Sequence, residues 1–187
     1  MMKKNKIFFI VNALHSKKNK TLKKLIQTKF LSEKYDVNIL ISEYKGHCIK
    51  LAEEAVEKKA NIVVACGGDG TVNEVGQSLI KKPVLLGVIP LGSGNGFARH
   101  FNIPRNLNYA LDIISKNFST TIDVGKINKR FFFSNFGLGV EAKFIEEYSK
   151  IKTRGLLGYI ISFFKIISTY KKQKIEIEFN NIRKKIF

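Results

Sequence analysis

Short apolar runs that alternate with helical stretches constrain the fold of this chain more than any other feature. Four runs have the length of a β-strand and are apolar on both faces: residues 7–11, 37–42, 62–66 and 84–89. Three stretches with the apolar spacing of a helix lie between them: residues 18–31, 47–58 and 72–80. Strands that are apolar on both faces are typical of a parallel sheet covered by helices. The first part of the chain is therefore predicted to be α/β, with an open parallel sheet and flanking helices.

The pattern changes near residue 121, after a further helix that begins at Pro104. Predicted strands, a helical apolar stretch and a hairpin then follow in this order: residues 121–127 and 130–135, 141–170, and 174–179 with 183–187. We therefore predict two domains. Residues 1–121 form the α/β domain, and residues 122–187 form an incomplete β-rich domain with a helical insertion.

A glycine-rich segment, CGGDGTVNE, occupies residues 66–74 directly after a predicted strand. Its three glycines let the backbone turn sharply and present N–H groups outward. Thr71 and Glu74 have the spacing of a capping box, which predicts that a helix begins just after the loop. A strand, a glycine loop and a helix N-terminus together suit phosphate groups. Asp69, within the loop, can contact a metal, orient a water or accept a hydroxyl proton.

A second glycine-rich segment, PLGSGNGFARH, occupies residues 90–100 and also follows a predicted strand. It supplies three more glycines, small polar donors and Arg99, whose guanidinium suits phosphate. Loops at the carboxyl ends of successive parallel strands are expected to lie side by side in the crevice where such sheets bind ligands. The Walker A pattern GxxxxGK[ST] is not present, so this is a different kind of phosphate site.

The pair GGDGTVNEV and PLGSGNGFARH resembles the paired signature of the diacylglycerol kinase catalytic domain family, which includes bacterial diacylglycerol kinases, sphingosine kinases and ceramide kinases. The similarity extends from about Lys6 to the last residue. The resemblance implies a Rossmann-like fold of the NAD kinase and diacylglycerol kinase type, followed by the start of a β-rich lobe. It also implies an ATP-dependent kinase that uses Mg²⁺ and phosphorylates the hydroxyl of diacylglycerol or a similar lipid.

The resemblance further implies which residues form the site. Asp69 is the candidate for catalysis and for metal binding. Ser42, in the segment SEYKGH, matches the family's Thr or Ser that borders the nucleotide. The full set of implied ATP-binding residues is Asn12, Ser16, Ser42, Gly67, Gly68, Gly70, Thr71, Asn73, Glu74, Ser93, Gly94 and Asn95.

Three departures from the family pattern qualify these expectations. The first loop reads NALHS at residues 12–16, without the Pro and Gly of the usual NPxSG, which predicts a weaker nucleotide contact there. Glu141 stands where the family commonly has Asp. The family's second lobe is longer, and in bacterial members its later part supplies the proposed base and a structural metal site. The resemblance therefore implies that the end of this lobe is missing.

The net charge of +18 lies mainly in the two flanks, and the glycine-rich middle is nearly neutral. Such a field attracts nucleotides, anionic lipid surfaces or nucleic acid. The apolar residues 155–164, flanked by lysines, either lie at a membrane interface or pack on the sheet of the second lobe. They are too few for the ~20 residues that span a bilayer. We predict a cytoplasmic protein that associates peripherally with anionic membranes.

Other functions remain open at this point. An NAD kinase shares the GGDG loop, although its second motif differs from PLGSGNGFAR, and a catalytically silent nucleotide- or membrane-binding module is a further alternative. Nucleic acid is not a predicted partner, because the sequence contains no recognised nucleic-acid module. Residues 182–187 are predicted to form an edge strand whose unpaired backbone groups invite self-pairing, which would give a homodimer.

Overall fold

The computed structural model describes residues 4–13, 16–31, 33–151, 156–170, 174–179 and 182–186. Within these ranges, the side chains of residues 16–18, 156, 185 and 186 are not described. The chain divides into two compact units, Met1–Ser134 and Asn135–Phe187.

The first unit is built on a four-stranded parallel sheet with the strand order β2-β1-β3-β4. The strands are β1 (Asn5–Asn12), β2 (Tyr35–Ser42), β3 (Ile62–Gly67) and β4 (Leu85–Pro90). The predicted α/β fold with an open parallel sheet is confirmed. Its physical basis is the burial of β1 and β3 on both faces, since every residue of β3 and the five residues 7–11 of β1 are buried.

Helices cover both faces of this sheet: α1 (Ser16–Lys29), α2 (His47–Glu57), α3 (Asp69–Leu79), α4 (Gly96–His100) and α5 (Leu107–Lys116). Because side chains alternate along a strand, β1 contributes to two separate cores. Phe8 and Ile10 pack in the core shared with α2 and α3, whereas Ile7, Phe9 and Val11 pack in the core shared with α1 and α5.

An antiparallel hairpin completes the first unit, formed by β5 (Gly125–Ile127) and β6 (Arg130–Phe132). Both strands are shorter than the sequence predicts, and the tight turn contains Asn128 at φ 52°. The ring of Phe133 lies so close to Gly76 of α3 that a Cβ there would meet it at 2.5 Å. This packing places the hairpin in the first compact unit. The domain boundary near residue 121 stays a prediction.

The second unit contains α6 (Val140–Lys150), α7 (Leu156–Thr169) and an antiparallel hairpin of β7 (Ile175–Phe179) and β8 (Ile182–Ile186). The helical stretch predicted over residues 141–170 is thus two helices, with residues 152–155 outside the described part of the chain. Among residues 157–169 of α7, whose side chains are described, only a narrow stripe with a spacing of four residues is buried, at Gly158, Ser162 and Ile166. In the part of the chain that the structure describes, no helix has the length and apolarity needed to cross a membrane.

Candidate active site

The carboxyl ends of all four parallel strands meet at one edge of the sheet. Ser42 at the end of β2 is in register with Asn12 of β1, and Gly67 at the end of β3 is in register with Pro90 of β4. The loops that follow the strands therefore leave the sheet at the same level, where open α/β sheets bind their ligands. Both glycine-rich segments lie at this edge.

The first glycine loop is shorter than the sequence predicts, because α3 begins at Asp69. The N-cap of α3 is Gly68, which has an extended backbone conformation and forms no side-chain capping hydrogen bond. The predicted capping box of Thr71 and Glu74 is therefore wrong. Thr71 lies inside the first turn, where its Oγ1 accepts a hydrogen bond from Asn12 Nδ2 at 3.1 Å. The first N–H groups of a helix have no acceptor within it, so this turn is suited to an anion.

The two glycine loops are in direct contact. The backbone N–H of Leu91 donates to the carbonyl of Gly67 at 2.9 Å. A Cβ placed on Gly92 would lie only 2.7 Å from the Cα of Gly68. Real Cβ atoms do not approach a backbone carbon so closely, so Gly92 is required for the two loops to touch. The structure thus brings together the two segments that the sequence analysis singled out.

Asp69 joins the first loop to the second through both of its carboxylate oxygens. The N–H of Gly96 donates to Oδ2 at 3.0 Å, and the N–H of Phe97 donates to Oδ1 at 2.9 Å. These N–H groups belong to the first turn of α4, where a negative charge is favourable. Each carboxylate oxygen can accept more than one interaction, so Asp69 can still contact a metal or a hydroxyl.

Asn95 shapes the second loop from the inside. It adopts a left-handed conformation, with φ 55° and ψ 48°, which Asn tolerates better than most residues. Only 3% of it is exposed, and its Nδ2 donates to the carbonyl of Gly92 at 2.7 Å. Its Oδ1 is buried and has no hydrogen-bond partner among the described residues. The neighbouring Ser93 and Gly94 are exposed and face solvent.

Ser42 lies behind the loops and is buried. Its Oγ accepts a hydrogen bond from the N–H of Ala13 at 3.3 Å, so it anchors the loop after β1. Burial raises the pKa of the neighbouring Cys48 thiol, the hydrogen bond with Ser42 lowers it, and Glu74 raises it further. These contacts tie the ends of β1 and β2 to the side of α3.

The other residues of the predicted site fall into three groups. Exposed at the strand edge are Gly70, Ser93 and Gly94. Partly buried are Asn12, Gly68, Asn73 and Glu74. Buried are Ser42, Gly67, Thr71 and Asn95. Ser16 begins α1, and its side chain lies outside the described part of the structure. The exposed group is the one whose backbone and hydroxyl groups can reach a ligand directly.

A cavity of about 380 Å³ lies elsewhere in the first unit, along β4. It is lined mainly by apolar side chains, among them Leu86, Val88, Ile103, Ile114 and Phe118, and by none of the glycine-loop residues 67–70 or 92–96. This cavity is therefore separate from the loop site. Among the described residues, no three His, Cys, Asp or Glu side chains are grouped so that they could hold a metal ion by themselves.

Comparison with known proteins identifies the family. Residues 6–127 match the model of the diacylglycerol kinase catalytic domain. The diacylglycerol kinases of Staphylococcus aureus strains JH9 and Newman are each 33% identical over 151 residues, which cover 78% of this chain and 48% of theirs. The chain therefore spans about half the length of these curated relatives.

A solved structure agrees with this assignment. The crystal structure of a diacylglycerol kinase from Bacillus anthracis str. Sterne is 25% identical, with a TM-score of 0.71, and the match covers 100% of this chain and 62% of that one. The family model spans the sheet, both glycine loops and the Asp69 contact between them. The chain belongs to the diacylglycerol kinase catalytic domain family.

Proposed function

We propose that the protein binds ATP at its glycine loops and acts as the nucleotide-binding part of a lipid kinase. Such a kinase transfers the γ-phosphoryl group of ATP to the hydroxyl of diacylglycerol or a related lipid. The observation that carries the proposal is the contact between the loops after β3 and β4, held by the carboxylate of Asp69 at the N-terminus of α4.

The phosphates would be bound chiefly by backbone groups. The first turn of α3 offers the N–H group of the exposed Gly70, and the exposed Ser93 adds a hydroxyl. Gly68 and Gly92 keep side chains out of the crevice. Ser42, Asn12 and Asn95 would contribute indirectly, because their contacts hold the loop backbones in place. Asn73 and Glu74, on α3, stay candidates for contacts further along the nucleotide.

Mg²⁺ fits this arrangement through Asp69. This ion is commonly bound by one or two carboxylates together with phosphate oxygens, so a cluster of protein ligands is not needed. When bound, the ion would neutralise charge on the phosphates. Phosphoryl transfer depends mainly on positioning and electrostatics, and two loops fixed against each other supply a rigid nucleotide site. Asp69 is the candidate catalytic residue of this chain, through its contact with the ion and its bonds to the second loop.

Magnesium-dependent binding of ATP to the 187-residue chain tests the proposal. Asp69→Asn should weaken binding of MgATP at least tenfold, because the amide cannot accept both N–H groups and carries no charge. Asp36→Asn is a matched control, since Asp36 lies near the amino end of β2, at the opposite edge of the same sheet. If the unmodified chain fails to bind MgATP in calorimetry, the proposed nucleotide site is wrong.

We further propose that α7 carries the protein to an anionic membrane, as a peripheral and cytoplasmic kinase would require. Its apolar side chains stay exposed beyond the buried stripe, with Leu157, Phe164 and Ile167 exposed by 67%, 66% and 64%. A helix of this kind suits the boundary between headgroups and acyl chains, and the net charge of +18 favours anionic lipid.

Sedimentation with vesicles tests the membrane proposal. Binding to anionic vesicles should exceed binding to neutral ones and should weaken as salt rises. Phe164→Ser combined with Ile167→Ser should reduce it, whereas Leu31→Ser, at an exposed leucine of the first unit, should not. Equal binding to anionic and neutral vesicles would contradict the proposal.

A further inference from the structure

The turn between β2 and α2 carries a rigid aromatic pair at the same sheet edge as the glycine loops. The rings of Tyr44 and His47 are stacked, with centroids 4.4 Å apart and planes at 4°. The N–H of Glu43 donates to Nδ1 of His47 at 3.0 Å, which fixes the imidazole. The N–H of His47 in turn donates to the carbonyl of Tyr44 at 3.2 Å, closing the turn.

The ring of Tyr44 is partly open to solvent. His47 covers one face of the ring, yet 53% of Tyr44 is exposed to solvent. The ammonium of Lys50 lies 5.9 Å from the ring centroid, at the outer limit of a cation–π contact. A flat aromatic surface beside a positive charge is suited to a ligand that has both an aromatic ring and an anionic group.

The position of Tyr44 relative to the glycine loops fits such a ligand. Tyr44 follows Ser42 at the end of β2, and the first glycine loop follows Gly67 at the end of β3. One strand, β1, lies between β2 and β3 in the sheet. Two strand spacings of about 4.8 Å separate the two turns by about 10 Å along the edge. An extended nucleotide with its phosphates at the glycine loops can place its base over this turn.

We propose that Tyr44, supported by His47, is the platform on which the base of the bound nucleoside triphosphate stacks. This stacking proposal rests on the nucleotide-binding function proposed above and adds a contact between the protein and the base. Stacking needs only a flat π face, so the platform accepts any base and favours those that stack strongly. The larger purine rings cover more of Tyr44 than a pyrimidine does, so a purine nucleotide is the preferred ligand.

A purely structural role for the aromatic pair makes a different prediction. If Tyr44 only stiffens the turn, its loss disturbs the neighbouring Ser42 and the loops, and every phosphate ligand then binds less well. If Tyr44 stacks on the base, only ligands with a base are affected. Inorganic tripolyphosphate has the charged part of ATP without the base and therefore separates the two roles.

Calorimetry with MgATP and with magnesium tripolyphosphate tests the proposal on the 187-residue chain. Tyr44→Leu should raise the Kd of MgATP about tenfold, equivalent to about 1.4 kcal/mol, and leave that of tripolyphosphate unchanged. Tyr44→Phe keeps the π face and should bind MgATP as the unmodified protein does. Tyr109→Leu, at an exposed tyrosine of α5, is the matched control and should change neither affinity.

The remaining outcomes overturn the proposal in distinguishable ways. Equal losses for MgATP and tripolyphosphate in Tyr44→Leu would assign the aromatic pair to the structure of the turn. An unchanged Kd for MgATP would show that the base lies elsewhere. If neither ligand bound the unmodified chain, the proposed phosphate site would be wrong, and the proposed stacking of the base on Tyr44 would be wrong with it.

Discussion

The two compact units bury their apolar side chains to very different extents. In the first unit, β1 and β3 are enclosed on both faces by five helices, and the two cores contain most of the large apolar residues. In the second unit, α7 is the more apolar of the two helices, yet its described side chains are buried only at Gly158, Ser162 and Ile166. The hairpin of β7 and β8 likewise leaves Phe179 and Ile182 exposed.

This difference separates residues that specify the fold from residues that are available for contacts. Apolar surface on a solvent-exposed helix does not stabilise the unit that carries it, since it has not been removed from water. Several large apolar side chains exposed along one helix are expected to form an interaction surface. The first unit is therefore expected to resist unfolding by its own packing, and the second to depend on what it binds.

The largest effect that would test this contrast is a truncation in the core of the first unit. Phe9 is fully buried on β1, and its ring packs edge-on against Phe30 at 5.5 Å. Phe9→Ala should lower the free energy of unfolding by about 3–5 kcal/mol, from lost burial and the cavity left behind. Phe164→Ala removes a phenyl ring from an exposed site and should change the free energy of unfolding by less than about 0.5 kcal/mol. Urea denaturation that gave similar losses for both would break the contrast.

A smaller effect tests whether the close packing of the first unit extends to its glycine loops. Gly92→Ala forces a Cβ against the backbone of Gly68 and should cost about 1–3 kcal/mol. Gly70→Ala is the matched change in the same crevice, with no atom within 4 Å of the new Cβ, and should be neutral or stabilising by up to about 1 kcal/mol. Thermal unfolding of the two variants compares them directly. If Gly92→Ala cost no more stability than Gly70→Ala, the two loops would not be closely packed and the prediction would be wrong.

The smallest effect concerns the second unit, in which one ion pair joins α6 to α7 and another lies within α6. Glu147 of α6 lies 2.8 Å from Nζ of Lys150 and 2.6 Å from Nζ of Lys165 on α7. Hydrogen bonds from Lys150 and Lys165 lower the pKa of Glu147 from 4.5 to about 2. A lowered carboxyl pKa stabilises the folded state fully above about pH 4.5, and this contribution is lost as the pH falls towards 2.

Glu147→Gln cannot ionise at this position and so lacks the pH-dependent stabilisation. The difference in stability between the unmodified protein and this variant therefore measures the contribution of the Glu147 carboxylate. The urea midpoint of the unmodified protein should exceed that of the variant at pH 6, and the gap should narrow by pH 3. At the alkaline end, Glu146 and Glu147 raise the pKa of Lys150 from 10.5 to about 12, so its contribution is lost only above about pH 10.5. A gap that stayed constant between pH 6 and pH 3 would show that the ion pairs do not stabilise the second unit.

The sequence predicts the sheet well because its signal is strong and local. Strands buried on both faces must be apolar throughout, and the runs in β1 and β3 satisfy this without ambiguity. The positions of both glycine loops follow from the strands that precede them. The predicted start of α3 is wrong by three residues, because Thr71 and Glu74 match a capping pattern by composition, while Gly68 occupies the capping position.

Other features of the site cannot be predicted from residue spacing or composition. The helix α4 has five residues, too few for an apolar period, so it was missed. The bonds from Asp69 to Gly96 and Phe97 join residues that are far apart in sequence, and only the folded sheet brings them together. Ser42 was placed beside the nucleotide, but nothing in the sequence indicates that its hydroxyl is held by Ala13. The aromatic pair of Tyr44 and His47 was likewise not singled out.

The strand order has a consequence for the newly made chain. Of the four strands of the sheet, β1 is synthesised before the other three, yet it occupies an interior position, with Ile7 paired to Val37 on one side and to Ile62 on the other. Its apolar segment therefore waits for the synthesis of β3 before both edges are covered. Parallel pairing over such separations is slow, and uncovered apolar strands aggregate. During translation, residues 7–11, which are buried in the finished protein, are thus exposed until β3 has been made. A pause before Gly67 is synthesised would leave them open to chaperones or to other nascent chains.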